Sequence, residues 1–412
     1  MTAIMNELME MRQKIVHIIL MTLCASGLFS ACTDEVSLPQ PDNEEAGSVL
    51  ISYALAGNEA SRAEETTLEP GWDNPWNENL ITRLDIFIFR NNNERTAYYP
   101  VSGMNEVAPQ TGNEETDKKE LEISLASLFP DDGDIQAGDV VYLIANHPSP
   151  ESLSSIKTLF DLQKAEVTGL KGYEKQSSFV MDGKMEVTGD MINGKDITIG
   201  IIPLRRAAVK IRLSFSGDSK VKDWTNVKYR FYHYATKSTV LALDTEEENA
   251  YLNDLELAVY PLIQANEGNE SDYMESNYAE NLYENKQLVL YSYANNWHDG
   301  DTSDDKPYQE APIDGNKETY ILLYAPYTEN GETVYGYYKI PVNYRLPENN
   351  DDENIKPEDY LYLYRLQRNY IYDITVTIDR AGGTESVPVD LPSLKYHVAK
   401  WVSYEIEVPV FD

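Results

Sequence analysis

The chain has 412 residues, of which 42% are hydrophobic and 25% are charged, and its formal net charge is −35 at pH 7. This acidity argues against nucleic acid and anionic membrane surfaces as partners, because both would repel the protein. At roughly 100–200 residues per domain, the length predicts two domains, and the 30 tyrosines favour β structure.

The N-terminal segment has the layout of a secretory signal peptide. Positive residues, an apolar run over residues 15–29 and two small residues come in that order before Cys32. The run is shorter than the about 20 apolar residues that span a membrane. A cysteine at this place resembles the bacterial lipobox, in which the thiol is diacylglycerated and the chain is cut before it. We therefore expect a signal peptide over residues 1–31 and a lipid anchor on Cys32, the alternative being a secreted protein with an unmodified cysteine.

A tether and a first strand are predicted after the lipidated cysteine. Residues 32–46 are polar, acidic and contain proline, so we interpret them as a tether. Residues 48–57 alternate between apolar and small or polar side chains, which predicts a strand. One face of this strand would carry Val49, Ile51, Tyr53 and Leu55.

The rest of the chain is a succession of short β-rich segments separated by turn residues, such as "LITRLDIFIFRN" and "GDVVYLIAN". Such a series predicts a β-sandwich in each half. We expect an all-β fold of two β-sandwich domains, transthyretin-like or Greek-key in topology, with minor short helices. The expected domains are an N-terminal sandwich over residues 47–216 and a C-terminal sandwich over residues 217–412.

The sequence also predicts a short helix, a further strand and the roles of a few polar residues. The spacing of apolar residues predicts a short helix over residues 151–164. The stretch "RRAAVKIRLSFSG" predicts one strand from which Arg206 and Lys210 point outward, without a binding role. We expect a structural role for Arg368 and Asn369 at the entry of a strand.

The sequence contains no recognisable catalytic site. The histidines after the signal peptide are far apart, and G-x-S-x-G, H-E-x-x-H and Walker A motifs do not occur. The acidic stretches 131–134 and 299–305 resemble calcium loops but lack the EF-hand spacing. We expect no enzymatic activity, no cofactor and no bound metal.

Several motifs occur in an order that resembles the fimbrillins of the Bacteroidales, the subunits of type V pili. The order is a lipobox, a first strand, "SRA", "ITRLDIFIF", "VVYLIAN", "FVMDGK", "IPLRRAAVKI" and "LQRNYIYDITVTI". The resemblance covers nearly the whole mature chain. It implies two β-sandwich domains, export as a lipoprotein, and polymerisation after an arginine-specific protease cuts the N-terminal segment, here between Arg62 and Ala63.

The predicted strand over residues 48–57 gives such a cut a physical rationale. Cleavage after Arg62 would release the predicted strand over residues 48–57 and leave an apolar groove with unpaired backbone groups. A strand of a neighbouring subunit could fill this groove by β-augmentation. The C-terminal stretch "WVSYEIEVPV" is a candidate donor, or else it completes the second domain of its own molecule. Its apolar face would consist of Val402, Tyr404, Ile406, Val408 and Val410.

These observations leave three hypotheses of function. The first is a structural subunit of a cell-surface fimbria that supports adhesion, with other pilus subunits, an arginine-specific protease, outer-membrane lipid and a host receptor or glycan as partners. The second is an anchored glycan-binding or adhesin lipoprotein that does not polymerise, with Trp72, Trp76 and Trp297 as aromatic residues for stacking on sugars. The third is a secreted glycoside hydrolase. The expected location is the outer membrane and cell surface.

Overall fold

The computed structural model describes most of the chain after the expected tether. The described residues are 47–56, 78–107, 118–131, 133–170, 172, 178–216, 219–221, 227–243, 251–252, 255, 257–260, 274–275, 288–297, 314–343, 363–390 and 394–400.

Short β-strands make up most of the described residues, and the fold is all-β with few helices, as expected. In chain order the strands are β1 Ser48–Leu55, β2 Leu80–Phe89, β3 Arg95–Val107, β4 Lys119–Ser124, β5 Val140–Ala145, β6 Glu166–Thr168, β7 Met181–Glu186, β8 Ile192–Asn193, β9 Asp196–Arg206, β10 Val209–Phe215, β11 Lys228–Ala235, β12 Lys237–Thr239, β13 Leu257–Tyr260, β14 Met274–Glu275, β15 Leu288–Ser292, β16 Asn295–Asn296, β17 Tyr320–Glu329, β18 Glu332–Pro341, β19 Arg365–Leu366, β20 Tyr370–Val376, β21 Val389–Asp390 and β22 Leu394–Lys400. The helices are Leu125–Leu128, Pro150–Ser154, Leu159–Gln163 and the 3₁₀ turn Gly189–Met191. Among these described helices, none has the length and apolar composition needed to cross a membrane.

The strands before residue 207, except β6, form one sheet in the order β3-β2-β5-β7-β9-β1-β4, with β8 added to β9. Strand β9 changes partner along its length. Its main part pairs in parallel with β1, and its last two residues, Arg205 and Arg206, pair with β7. The apolar side chains of the strands on both sides of this change pack into one core cluster. The partner change in β9 therefore lets one continuous sheet wrap around a single core.

The predicted single strand through "RRAAVKIRLSFSG" is wrong, because the chain changes sheets inside it. Strand β9 ends at Arg206, the buried Ala207 and Ala208 follow, and β10 begins at Val209 in a different sheet. That sheet has the order β15-β10-β20-β22. By its pairing, β10 thus belongs with strands of the C-terminal half. The expected domain boundary after residue 216 stays a prediction.

A second core lies between the sheet of β10 and a sheet with the order β13-β11-β17-β18-β21, in which β14 also pairs with β11. Ile211 and Ile374 contribute to this core from the first of these sheets, and Phe231, Leu323 and Ile340 contribute from the second. Two short pairs, β12 with β6 and β16 with β19, complete the described strands. The C-terminal half is thus a sandwich of two sheets around its own core.

The predicted helix over residues 151–164 is interrupted. Two helices, Pro150–Ser154 and Leu159–Gln163, take its place. Thr158 is extended and caps the second helix: its hydroxyl accepts a hydrogen bond from the Asp161 backbone, and the Asp161 carboxylate accepts one from the Thr158 backbone. This capping box needs a non-helical residue at Thr158, so one helix cannot continue through it.

Gly336 provides a test of the packing in the C-terminal half. A Cβ on Gly336 would lie 2.6 Å from Cα of Gly382, and a backbone atom cannot give way as a side chain can. We expect Gly336→Ala to lower the free energy of unfolding by about 1–3 kcal/mol, measured by urea denaturation. Gly189→Ala is the matched control, because a Cβ there meets nothing within 4 Å. An equal effect of both substitutions would contradict the close approach of the two backbones.

Candidate functional site

The candidate site is strand β1 together with its surroundings. The residues predicted from the sequence for lipidation, cleavage and strand donation all lie outside the described residues, so their roles stay predictions. They are Cys32, Arg62, Ala63, Val402, Tyr404, Ile406, Val408 and Val410. The structure does describe residues on both sides of the expected cut, namely β1 before Arg62 and Glu78 after it.

Strand β1 is an interior strand of its sheet. It pairs antiparallel with β4 over Ser48–Tyr53 and parallel with β9 over Val49–Leu55. Between Ile51 and Ser52 the register shifts by one residue, so that Gly200 of β9 has no direct partner on β1. Among the described residues, β1 is the only strand that pairs with β4. Loss of β1 would therefore expose two strand edges, one on β9 and one on β4.

The predicted strand and its apolar face are confirmed by its burial. The side chains of Val49, Ile51 and Leu55 are 0% exposed, and Tyr53 is 1% exposed. All four belong to the N-terminal core cluster. Burial of each aliphatic side chain contributes about 1.5–3 kcal/mol, so loss of β1 would remove several such contributions from this core. The opposite face carries small residues that are also buried in the second half of the strand, namely Ser52 and Ala54.

Tyr53 brings a polar atom to the edge of the core. Its hydroxyl donates a hydrogen bond of 3.0 Å to Oε2 of Glu106, at the end of β3. Burial and the neighbouring Glu106 charge raise the pKa of Tyr53 well above its ordinary value, so the phenol stays neutral and acts as a donor. The position of Tyr53 therefore requires an apolar ring with a hydrogen-bond donor at its tip.

Backbone hydrogen bonds fasten both ends of β1. Leu125 N donates to Gly47 O at 2.9 Å before the strand, and Ala56 N donates to Leu204 O at 2.8 Å after it. Gly47 has no room for a side chain, since a Cβ would lie 2.1 Å from the Lys195 carbonyl oxygen. These contacts fix the register of β1 as far as Ala56, and the segment that contains Arg62 follows this residue.

On the other side of that segment, Glu78 is buried between the two cores. Its carboxylate lies 3.2 Å from Nζ of Lys210, and it accepts a hydrogen bond of 2.6 Å from the Tyr291 hydroxyl. Glu78 is 1% exposed and Lys210 is 0% exposed. Lys210 lies on β10 and Tyr291 on β15, so Glu78 joins the N-terminal half to the C-terminal sheet.

The expectation that Arg206 and Lys210 point outward is wrong, because both are buried at the junction of the two cores. The Arg206 guanidinium donates to Oδ1 of Asn79, and its backbone N–H donates to Oδ1 of Asn369 at 3.1 Å. Burial lowers the pKa of Arg206 to about 10, against the opposing effect of the Glu78 charge, so Arg206 stays protonated at neutral pH. The Glu78 carboxylate therefore lies beside two buried cations, which offset the cost of its desolvation.

The expected structural role of Arg368 and Asn369 fits their contacts. Arg368 forms an ion pair of 2.8 Å with Asp182 of β7 and donates to the Val240 carbonyl at 3.1 Å. Asn369 has a positive φ of 63°, which asparagine tolerates, and its backbone N–H donates to the Ala208 carbonyl at 2.9 Å. Both residues connect the start of β20 to the N-terminal half.

Two further expectations concern metals and sugars. Within the described ranges, no group of three or more His, Cys, Asp and Glu side chains is placed to hold a metal ion. The expectation that Trp297 stacks on sugars is wrong, because its side chain is 1% exposed in the second core. Trp72 and Trp76 lie outside the described residues.

Sequence reasoning missed Glu78, Asn79 and Asn146. Glu78 and Asn79 stand in a polar stretch without periodicity, so nothing local distinguishes them from solvated residues. Asn146 follows β5 with a φ of 57°, and its side chain bonds to Thr82 N and to the carbonyls of Leu80 and Phe179. An asparagine directly after a buried strand was the available signal, because Asn favours positive φ.

No protein-family model matches the chain, and no curated protein matches its sequence. Solved structures do match its fold. A candidate cell adhesion protein of Bacteroides eggerthii is 14% identical, with 86% of this chain and 97% of that chain covered and a TM-score of 0.50. The tip fimbrial protein of Porphyromonas gingivalis, with a C-terminal truncation, is 14% identical over 86% of this chain and 99% of that chain, with a TM-score of 0.46. A fimbrial assembly protein of Parabacteroides distasonis is 11% identical over 86% and 94%, with a TM-score of 0.39. At this identity the likeness shows a shared fold alone.

Glu78 provides a test of the buried junction. Glu78→Gln removes the carboxylate beside two buried cations, so we expect the free energy of unfolding to fall by about 3–5 kcal/mol, measured by urea denaturation. Glu329→Gln is the matched control, since Glu329 pairs with Lys220 at the exposed turn between β17 and β18 and should matter little. Equal stability of Glu78→Gln and the native protein would show that the ionic contact does not hold the junction.

Proposed function

We propose that this chain is a structural subunit of a cell-surface fimbria that supports adhesion. In this proposal it is exported as a lipoprotein through Cys32, cut between Arg62 and Ala63 by an arginine-specific protease, and assembled by strand exchange. Before the cut its lipid lies in the outer membrane, and after the cut its partners are other pilus subunits. A host receptor or glycan would be bound by the assembled fimbria.

The observation that carries the proposal is the position of β1. A strand that is cut from its chain can leave the protein only if its contacts are non-covalent and contiguous, and β1 meets this condition. It is a single run of eight residues with one partner strand on each side. The predicted cut at Arg62 follows it by seven residues from Leu55, so residues 32–62 would become a separate peptide.

The vacant position of β1 would strongly favour a replacement strand. Its loss would uncover the apolar contacts of Val49, Ile51, Tyr53 and Leu55 and the backbone groups of β4 and β9 that face them. Unpaired strand edges next to exposed apolar surface are templates for pairing with another chain. Addition of a strand from a neighbouring subunit restores both kinds of contact in one step.

The strand that precedes the C-terminal segment, β22, supports a donor role for this segment. Strand β22 pairs antiparallel with β20 from Leu394 to Lys400, opposite Val376 to Tyr370. Among the described strands, β22 lies at the edge of the sheet of β10. Those residues follow β22 directly, which ties the candidate donor to a folded strand of its own subunit.

The second candidate function is an anchored adhesin or glycan-binding lipoprotein that does not polymerise. Tyrosines on one face of the sheet of β17 and β18 favour it, since Tyr335 is 47% exposed and stacks on Tyr324 at 5.4 Å between ring centroids. Tyr324 also packs against Tyr337 at 4.9 Å. Because these rings cover one another, they offer little free ring area to a sugar, and we rank this function second.

Cleavage of the full-length protein tests the first proposal. After treatment with an arginine-specific protease, we expect a new N-terminus at Ala63, release of residues up to Arg62, and assemblies visible by electron microscopy. Arg62→Gln is the control, because it removes this cleavage site alone and should prevent both release and assembly. Cleavage at Arg62 without assembly would favour the adhesin, and assembly of Arg62→Gln would contradict the role of the cut.

Truncation after Lys400 tests the donor. The shortened protein keeps all of β22, so we expect a native circular dichroism spectrum and normal cleavage at Arg62, but no assemblies. The comparison protein is the full chain treated in the same way. Assembly of the truncated protein to the normal extent would exclude residues 401–412 as the donor.

A further inference from the structure

Loss of β1 would leave β4 without any strand partner among the described residues and would open the edge of β9 that faced β1. The two strands lie on either side of the vacant position, two strand spacings of about 4.8 Å apart. Unpaired strand edges are templates for pairing with another strand. Resting on the proposed function, we propose that after the cut β4 moves sideways by one strand spacing and pairs directly with β9. This closed form protects the cut subunit until another strand displaces β4.

The apolar side chains of β4 fit the vacant position without a change of register. Ile123 lies opposite Val49, and Leu121 lies opposite Ile51. Directly opposed residues of an antiparallel pair share one face of the sheet. Ile123 is 4% exposed, and the partly buried Leu121 packs against the same core cluster as β1. A sideways movement therefore brings Ile123 to the place of Val49 and Leu121 to the place of Ile51.

Lys119 fits the polar end of the vacant position. It lies opposite Tyr53, whose hydroxyl donates a hydrogen bond to Glu106 in the uncut protein. Loss of Tyr53 would take this donor away from a carboxylate in a partly buried place, which is unfavourable. In the closed form the Lys119 ammonium group takes the place of the phenol and donates to Glu106. The hydrogen bond is then assisted by opposite charges, which strengthens it.

The C-terminal end of β4 keeps the strand close to the vacant position. β4 continues into the helix Leu125–Leu128, and both Leu128 and the following Phe129 are buried in the N-terminal core. The hydrogen bond from the Leu125 backbone to Gly47 disappears with the released segment, so β4 can turn about these two buried anchors. Because β4 belongs to the same molecule, its effective concentration at β9 exceeds that of a strand from another subunit in dilute solution.

The closure is incomplete at one end. β4 begins at Lys119, opposite Tyr53, so it does not reach the places of Ala54 and Leu55. The part of β9 that faced these two residues therefore stays open. An incoming strand can begin to pair there and then displace β4 from the rest of β9. We therefore expect the closed form to delay assembly and not to prevent it.

A pair of cysteines can detect the closure in the full chain. In the uncut protein, Leu50 of β1 lies between Glu122 of β4 and Thr198 of β9, both of which are exposed. Closure brings these two residues directly opposite each other, so Glu122→Cys with Thr198→Cys can form a disulfide, which needs a Cα separation of about 4.4–6.8 Å. Glu120→Cys with Thr198→Cys is the matched control, since Glu120 is also exposed on β4 but two residues away from Glu122.

Both variants, with the natural Cys24 and Cys32 replaced by Ser, are cut with the arginine-specific protease at low protein concentration and oxidised. Mass spectrometry identifies the released peptide, and peptide mapping without reduction identifies the disulfide. We expect a disulfide within one molecule for the Glu122 pair, about tenfold more than before the cut and about tenfold more than for the Glu120 pair. The cross-linked molecules should assemble only after reduction.

The possible outcomes separate the closure from the proposed function. Equal cross-linking of both pairs would show that β4 is disordered after the cut, and release of the peptide without any disulfide would show that the vacant position stays open. Assembly of the cross-linked molecules would show that β4 does not block the position of β1. Each of these results overturns the closure and leaves the proposed function in place. Retention of the residues up to Arg62 after the cut would overturn both.

Discussion

The structure depends on the pairing of β1 with two strands that are remote from it in sequence. β9 is parallel to β1 and some 150 residues later in the chain, and β4 is antiparallel to β1. An interior strand supplies hydrogen bonds on both edges and side chains to the core, so its presence decides whether this part of the sheet is closed or open. No other described strand is both interior and placed directly before a predicted cleavage segment.

The ionic junction around Glu78 would hold the remainder together in the proposed cleaved form, which lacks β1. Glu78 and Asn79 hold the chain immediately before β2 by contacts to Arg206 and Lys210, at the ends of β9 and the start of β10. A buried ion pair is costly to form but also costly to break, because each partner would be left as an uncompensated charge. The junction therefore fixes the chain on the far side of the cleavage segment, and it does so with residues that cleavage at Arg62 does not remove.

The two halves share this junction rather than meeting through a flexible linker. Tyr291 and Ile371 of the C-terminal half belong to the N-terminal core cluster, and the chain crosses between the halves within Ala207 and Ala208. Arg368 and Asn369 add polar contacts at the same place. The two halves are therefore joined by buried apolar and polar contacts rather than by the chain alone.

The sequence by itself determined the strand β1, its buried face and the all-β class, because alternation with a period of two depends only on neighbouring residues. Only the tertiary structure decided that β1 is interior and that Arg206 and Lys210 are buried. The local pattern indicates which side chains share a face but not which strand lies beside them. Lys210 is paired in the interior with Glu78, which stands 132 residues earlier, and Tyr291 donates to the same carboxylate across 213 residues. A charge in an apolar strand looks solvated from the sequence until its distant partner is known.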